Sequence, residues 1–380
     1  MKIINAQKLE ALVFKHTNEE LSENKIGCKE VIVHQQGECV YAAVFGKRSV
    51  GGESATPGLI YRAASMTKPV TAVAVLQLVD KGLLSLDDKI SYFYPEARNL
   101  KVAVINNSKI ASYTPLSREI TVENLLSYTS GIGCPPVSDI IACNNNTLSL
   151  DDAIDDILSK PLSFEPDSAQ CYGATEAFDI AAGIVQKVSD RSFDTYLKEN
   201  IFTPLQMVNT TFCPTDEQWA KTVVMHSRTK DGKSENSACQ SGCVFENYLA
   251  ARMPAGAGLV TTADDYIRFA DMLCFNGTTK DKVKILSDRA VDLLSTPHTP
   301  ANFENWCEKW GLSVRIVVDD SYPHGLGVGC FGWSGAYGTH FWVDRENRVS
   351  VVMMKNSRYD GGAGNKSACQ LERDVCESLQ

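Results

Sequence analysis

Ala64-Ser65-Met66-Thr67-Lys68-Pro69, running straight into the apolar stretch Val70–Val79, is the segment around which this chain is organised. Val70, Val73, Ala74, Leu76, Leu78 and Val79 leave almost no polar face. The spacing therefore predicts a helix buried nearly all round, with Gly82 as its C-terminal stop. Ser65 and Lys68 stand three residues apart, so on such a helix their side chains share a face and can touch. Ser65 would lie at the N-terminus, inside the protein and at the positive end of the helix dipole. A serine beside an amine that can shed its proton is an acyl-transfer nucleophile. The plainer reading makes Ser65 an N-cap and Lys68 a solvated first-turn residue.

The chain contains S-x-x-K three times, at Ser22…Lys25, Ser65…Lys68 and Ser227…Lys230. The first and third lie among polar, loop-like residues. Only Ser65 has an apolar helix behind it that can desolvate the lysine and favour its basic form.

Outward from this segment, Glu30–His34 and Glu38–Gly46 flank Gln35-Gln36-Gly37 and read as a β-hairpin. A helix is expected at Thr121–Leu126, a short one at Leu150–Leu158 and an amphipathic one at Glu176–Val188, where Phe178, Ala181, Ile184, Val185 and Val188 recur at helical spacing. Ser227–Asn247 reads as a polar surface loop. Beyond it come a helix at Ala263–Phe275, strands at Val314–Val318, His340–Val343 and Val349–Met354, and a terminal helix at Lys366–Leu379. Strands at both ends with helices between imply one sheet built from N- and C-terminal segments. The expected division is an α/β domain of residues 1–95 and 215–380 with a helical domain of residues 96–214 inserted.

At 380 residues the chain has room for two subdomains, and its net charge of −9 argues against nucleic acid or an anionic membrane surface as a partner, since either would want a basic patch. The Val70–Val79 run is too short to span a bilayer. Met1–Phe14 reads as an amphipathic helix rather than a signal peptide, so the expected location is cytoplasmic. The 13 cysteines lack paired C-x-x-C spacing, and no histidine stands at ligand spacing from them. Reduced thiols acting as small hydrophobes are expected, with no metal site and no cofactor.

A serine nucleophile needs a second proton-handling group and an oxyanion hole. Tyr172 lies in a loop just before the Glu176 helix, where its phenol can face a cleft. An ammonium group beside it would favour the phenolate, which can take the serine proton. Packing is the default alternative for any one of the 13 tyrosines. Gly332-Trp333-Ser334-Gly335-Ala336 feeds the His340 strand, and its small residues let a backbone N–H approach a carbonyl. It lacks the last glycine of a nucleophile elbow.

In this order, Ser65-Met66-Thr67-Lys68, Thr129-Ser130-Gly131, Tyr172, Pro254–Ala263 and Gly332–Ala336 resemble the serine β-lactamase superfamily. The resemblance is closest to its class C β-lactamase, DD-peptidase and family VIII carboxylesterase branch, and runs from about Glu30 to Met354. It implies a β-lactamase/transpeptidase-like α/β fold: a central antiparallel sheet flanked by helices, an inserted helical domain, and a site between them. It further implies that Ser65 is acylated, that Lys68 assists its deprotonation, and that Tyr172 is general base and later acid. The N–H groups of Ser65 and Ala336 would form the oxyanion hole, with Trp333, Ser334, Gly335 and Tyr337 on the substrate.

Two departures narrow the substrate. Ala174 stands where Y-x-N carries asparagine, and Trp333-Ser334-Gly335 replaces K-T-G, removing the lysine that holds a β-lactam or peptide carboxylate. Trp-x-Gly is similar to the triplet of family VIII esterases and of acyltransferases acting on polyketide side chains. The expected partner is a small-molecule ester or amide. The leading reading is a serine carboxylesterase or acyltransferase on small neutral esters. A β-lactamase or D-amino-acid-specific peptidase, and a non-catalytic ligand-binding descendant, are the alternatives.

Overall fold

A computed structural model describes residues 1–141, 149–173, 175–237, 253–299, 307–357 and 361–380. Its centre is a seven-stranded sheet: β1 (Cys28–Gln35), β2 (Glu38–Gly46), β3 (Glu308–Trp310), β4 (Arg315–Val317), β5 (Phe331–Ser334), β6 (His340–Asp344) and β7 (Val349–Met354). The spatial order is β2-β1-β7-β6-β5-β4-β3, antiparallel at every step. N- and C-terminal segments thus meet where β1 lies on β7. Gln36 and Gly37, with φ of +55° and +75°, make the tight turn between β1 and β2. Two left-handed residues twist a hairpin in the sense its strands prefer.

Six helices matter for the site: α1 (Ala6–Ser22), α2 (Thr67–Asp80), α3 (Leu150–Leu158), α4 (Glu176–Ser189), α5 (Ala263–Cys274) and α6 (Lys366–Ser378). Both sheet faces are covered. Val31, Val33, Trp342, Val351 and Met353 pack against Leu9 and Val13 of α1 and Leu371 and Val375 of α6. The alternate residues Ile32, Phe341, Val343, Val352 and Met354 join the cluster containing α2 and α5. Successive strand side chains point to opposite faces, so a doubly covered strand becomes apolar throughout. This is why β7 is buried at all six positions.

Helix α2 is buried at every residue from Thr67 to Leu78. A 3₁₀ turn at Ala64–Met66 precedes it, and Gly82 follows it with φ of +67°. Its flank is covered by α4, on which α3 also packs.

Three elements depart from expectation. The region expected to be helical holds an antiparallel ribbon, Lys101–Asn106 with Lys109–Pro115, turned by Asn107 and Ser108 at positive φ. Its strands are mostly exposed, so no hydrophobic alternation marks them. His226–Arg228 and Ser234–Asn236 pair within the expected surface loop, whose remainder from 238 lies outside the described residues. The edge strand β3 is short and half-buried, and has no apolar run to reveal it.

Candidate active site

Ser65 is half-buried at the one opening in an otherwise enclosed helix start. Ala64, immediately before it, is left-handed with φ of +48°, a conformation that costs an alanine energy and re-aims the following side chain. Lys68 is completely buried, and its Nζ donates to Ser65 Oγ at 3.2 Å and to the Gly256 carbonyl at 2.8 Å. The Ser-x-x-Lys spacing therefore does bring the pair into contact.

The segment presenting Gly256 is anchored at three points. Thr71 Oγ1 donates to the Ala255 carbonyl at 2.7 Å, Ala255 N–H donates to Asp179 Oδ1 at 2.9 Å, and Leu259 N–H donates to Thr67 Oγ1 at 3.2 Å. Pro254–Ala263 carries part of the resemblance in sequence, but the part its backbone plays in holding Lys68 is visible only here.

Aromatic rings enclose the amine. Lys68 Nζ lies 5.0 Å from the Tyr172 ring centroid and 5.4 Å from that of Phe178, within cation–π range. Tyr172 stacks on Trp310 at 5.7 Å with an interplanar angle of 22°, and its hydroxyl accepts a hydrogen bond from Trp333 Nε1 at 3.1 Å. Trp310 and Trp333 meet edge-on at 4.4 Å. Tyr128 lies beneath Tyr172, 5.0 Å away, and burial pushes its hydroxyl well above the usual tyrosine range. Of these two phenols, Tyr172 is the one not locked in the core. Trp310, Tyr128 and Phe178 escaped sequence reasoning because nothing in their local pattern distinguishes them from packing residues.

The loop after β5 abuts the turn that carries Ser65. Gly335 N–H donates to the Thr339 carbonyl at 2.7 Å, and Thr339 Oγ1 donates to the Ala63 carbonyl at 2.9 Å. A Cβ on Gly335 would lie 2.4 Å from the Ala63 oxygen, so glycine is what allows this approach. Ala336 follows, exposed in the turn. Among the described residues, neither the Ser65 nor the Ala336 N–H has a protein acceptor.

Two residues expected on the substrate are otherwise engaged. Ser334 is buried, with its hydroxyl 2.8 Å from His340 Nδ1. Tyr337 is also buried and clusters with Ala64 and Met225, beside the turn that carries Ser65. Alternation along β5 accounts for Ser334, because adjacent Trp333 takes the face towards Tyr172. Ala174 lies outside the described residues.

Behind β5 and β6, His340 Nε2 is 3.1 Å from Glu372 Oε1, which also receives Arg315 Nη2 at 2.7 Å. Tyr322 donates to Glu372 Oε2 at 2.9 Å. Burial alone would push the Glu372 carboxyl up, but His340 and the Arg315 charge hold it at about 2. Folding also places ligand atoms of His324, Cys369 and Glu372 within 4.8 Å of one another, a proximity no local spacing announced. Glu372 there is already bonded to Arg315 and Tyr322. A cavity of about 330 Å³ beside Trp310 and Trp333 is lined in part by Glu308, Arg315 and Tyr322. Among the described residues no helix is long and apolar enough to cross a membrane.

The chain is 31% identical over 315 residues to Protein Rv1367c of Mycobacterium tuberculosis, covering 78% of this chain and 76% of that protein. It is 26% identical to Esterase EstB of Burkholderia gladioli, covering 95% and 94% of the two chains. Its fold matches that of EstCE1, a hydrolase with promiscuous acyltransferase activity, with a TM-score of 0.82 at 21% identity, covering 98% and 99% of the chains. Residues 14–368 match the family described as Beta-lactamase, and with the antiparallel sheet and the Ser65–Lys68 contact in place, the chain belongs to that family, within the serine β-lactamase superfamily.

Proposed function

We propose that this protein is a serine carboxylesterase, able to transfer acyl groups, that acts on small neutral esters. The observation that carries this reading is the arrangement of Ser65, Lys68, Tyr172 and Trp333. The lysine touches the nucleophile, while the phenol is fixed by an indole N–H rather than a second ammonium. Ser65 Oγ attacks the ester carbonyl. Tyr172 takes its proton and returns it to the departing alcohol, while the Lys68 charge stabilises the phenolate. The N–H groups of Ser65 and Ala336 receive the developing oxyanion. Water, activated by the same phenol, then releases the acid; an alcohol in its place completes a transfer.

Trp333 sets the preference. At the strand position where a lysine would meet a substrate carboxylate, it offers a neutral ring and one donor already used by Tyr172. The similarity to Esterase EstB supports an ester over an amide.

Intact-mass spectrometry after brief exposure to a p-nitrophenyl ester and, separately, to benzylpenicillin tests the proposal, with nitrophenol and penicilloate release followed in parallel. The expected result is Ser65-dependent acylation or turnover of the ester alone, absent in Ser65→Ala. Preferential opening of penicillin would replace the ester reading with an amidase one. Inertness to both would remove the proposal for these acyl donors.

A further inference from the structure

Beside the general-base tyrosine lies a pair of thiols that the reaction does not use. Cys134 is fully buried, and its Sγ is 3.4 Å from the Ile132 carbonyl oxygen and 3.6 Å from that of Cys171. Cys171 is half-buried and immediately precedes Tyr172. The two backbones run close together. Cys171 N–H donates to the Tyr128 carbonyl at 2.9 Å, and a Cβ on Gly173 would lie 3.2 Å from the Ile132 oxygen.

The thiols differ in character. Cys171 is held below the usual thiol range by its closeness to Cys134, against the opposing effect of burial. Cys134 is pushed far up by that same closeness, by burial and by the Glu176 charge. Cys171, the more exposed thiol, is the one an oxidant can reach, and the buried Cys134 beside it is placed to resolve the product.

We propose that Cys134 and Cys171 are a redox modification site, closing to a disulfide under hydrogen peroxide and thereby displacing Tyr172 from its catalytic position. The Cys171 sulfur attacks one peroxide oxygen. An S–O bond forms, the O–O bond breaks, and the thiol proton leaves with the second oxygen as water. The Cys134 sulfur then attacks the sulfenic sulfur, forming the S–S bond and breaking the S–O bond. Its proton goes to the departing hydroxyl, giving a second water. Two thiols lose two electrons and peroxide gains them.

Closure must bring the two sulfurs to about 2 Å, and part of that movement falls on the Cys171 backbone. Tyr172, the next residue, cannot follow while keeping both its Trp310 stack and its Trp333 hydrogen bond. A misplacement of about 1 Å at a catalytic group costs on the order of a hundredfold in rate. The effect on rate rests on the esterase reading, whereas the disulfide and the movement do not.

The full chain, reduced and desalted, is titrated with hydrogen peroxide and followed three ways. Peptide mapping of the alkylated protein should find Cys134 joined to Cys171, with loss of two hydrogens, reversed by dithiothreitol and absent in Cys134→Ser. Tryptophan fluorescence should change in step with the cross-link, because Tyr172 touches both Trp310 and Trp333. Ester hydrolysis should fall at least tenfold and recover on reduction, and Cys134→Ser should lose this reversible step. Separate alkylation of both thiols after oxidant overturns the proposal, as does a cross-link that leaves fluorescence and hydrolysis unchanged. A reduced protein without esterase activity that still forms the cross-link and shifts its fluorescence fails the esterase reading alone.

Discussion

Trp333 does two things that a lysine at its position could not do together. Its ring closes the aromatic wall against Trp310, and its indole N–H fixes the Tyr172 hydroxyl at 3.1 Å. Trp333→Phe keeps an aromatic ring against Trp310 and removes the donor together with the pyrrole part of the indole. A hydrogen bond to a group that becomes charged is worth about 1.5–3 kcal/mol. We therefore expect kcat for a p-nitrophenyl ester to fall by roughly tenfold to a hundredfold, with KM little changed. Steady-state kinetics on the variant checks this, and an unchanged kcat would show that the bond does not serve the proton transfer. Gly335 and Ala64 act at the same scale: one lacks a Cβ so that the loop after β5 can meet Ala63, the other adopts the left-handed region that aims Ser65.

Helix α2 shows how an element can be buried without being inert. It carries Thr67, Lys68 and Thr71 into the core, and each is hydrogen-bonded to a neighbouring group. A buried hydroxyl with its partner in place contributes about 1 kcal/mol, and removing it leaves the partner unsatisfied at a similar or greater cost. Thr71→Val preserves shape and deletes the bond to the Ala255 carbonyl. The expected result is a loss of about 1–3 kcal/mol in urea unfolding together with a lower kcat, because the adjacent Gly256 carbonyl that positions Lys68 is loosened. A purely structural tether would lower stability and leave kcat unchanged.

For the whole molecule, two buried carboxyls of the sheet and its covering helix shape stability against pH in opposite senses. Glu372 is held at about 2, below its ordinary 4.5, so its contribution is complete above 4.5 and is lost as pH falls towards 2. A shift of that size corresponds to about 3 kcal/mol. Glu30 on β1 is raised to about 7 by burial, only partly offset by the Tyr61 hydroxyl. The unfolded chain releases that proton first, so stability falls as pH rises from 4.5 to 7 and then levels off. Glu30→Gln should be more stable than the parent at pH 8 by a margin that shrinks towards pH 5. Urea unfolding at the two values measures it, and an equal margin at both would remove Glu30 as the cause.

Much of this arrangement was legible in the chain. The unbroken apolar run of α2 needed a core on every side, and the three-residue Ser65–Lys68 spacing meant contact once that helix formed. The apolar runs of β1, β6 and β7 marked strands at both ends of the chain that share one sheet, and the order of motifs pointed to the family that the matched residues establish. These features are encoded locally, through periodicity and spacing. Tertiary packing decided what depends on distant segments. Trp310 reaches Tyr172 from an edge strand without a pattern of its own, Gly256 meets Lys68 across 188 positions, and Ser334 gives its hydroxyl to His340. Cys134 meets Cys171 from 37 residues away. No periodicity records such meetings, because each is set by how separate elements stack and not by the preferences of either one.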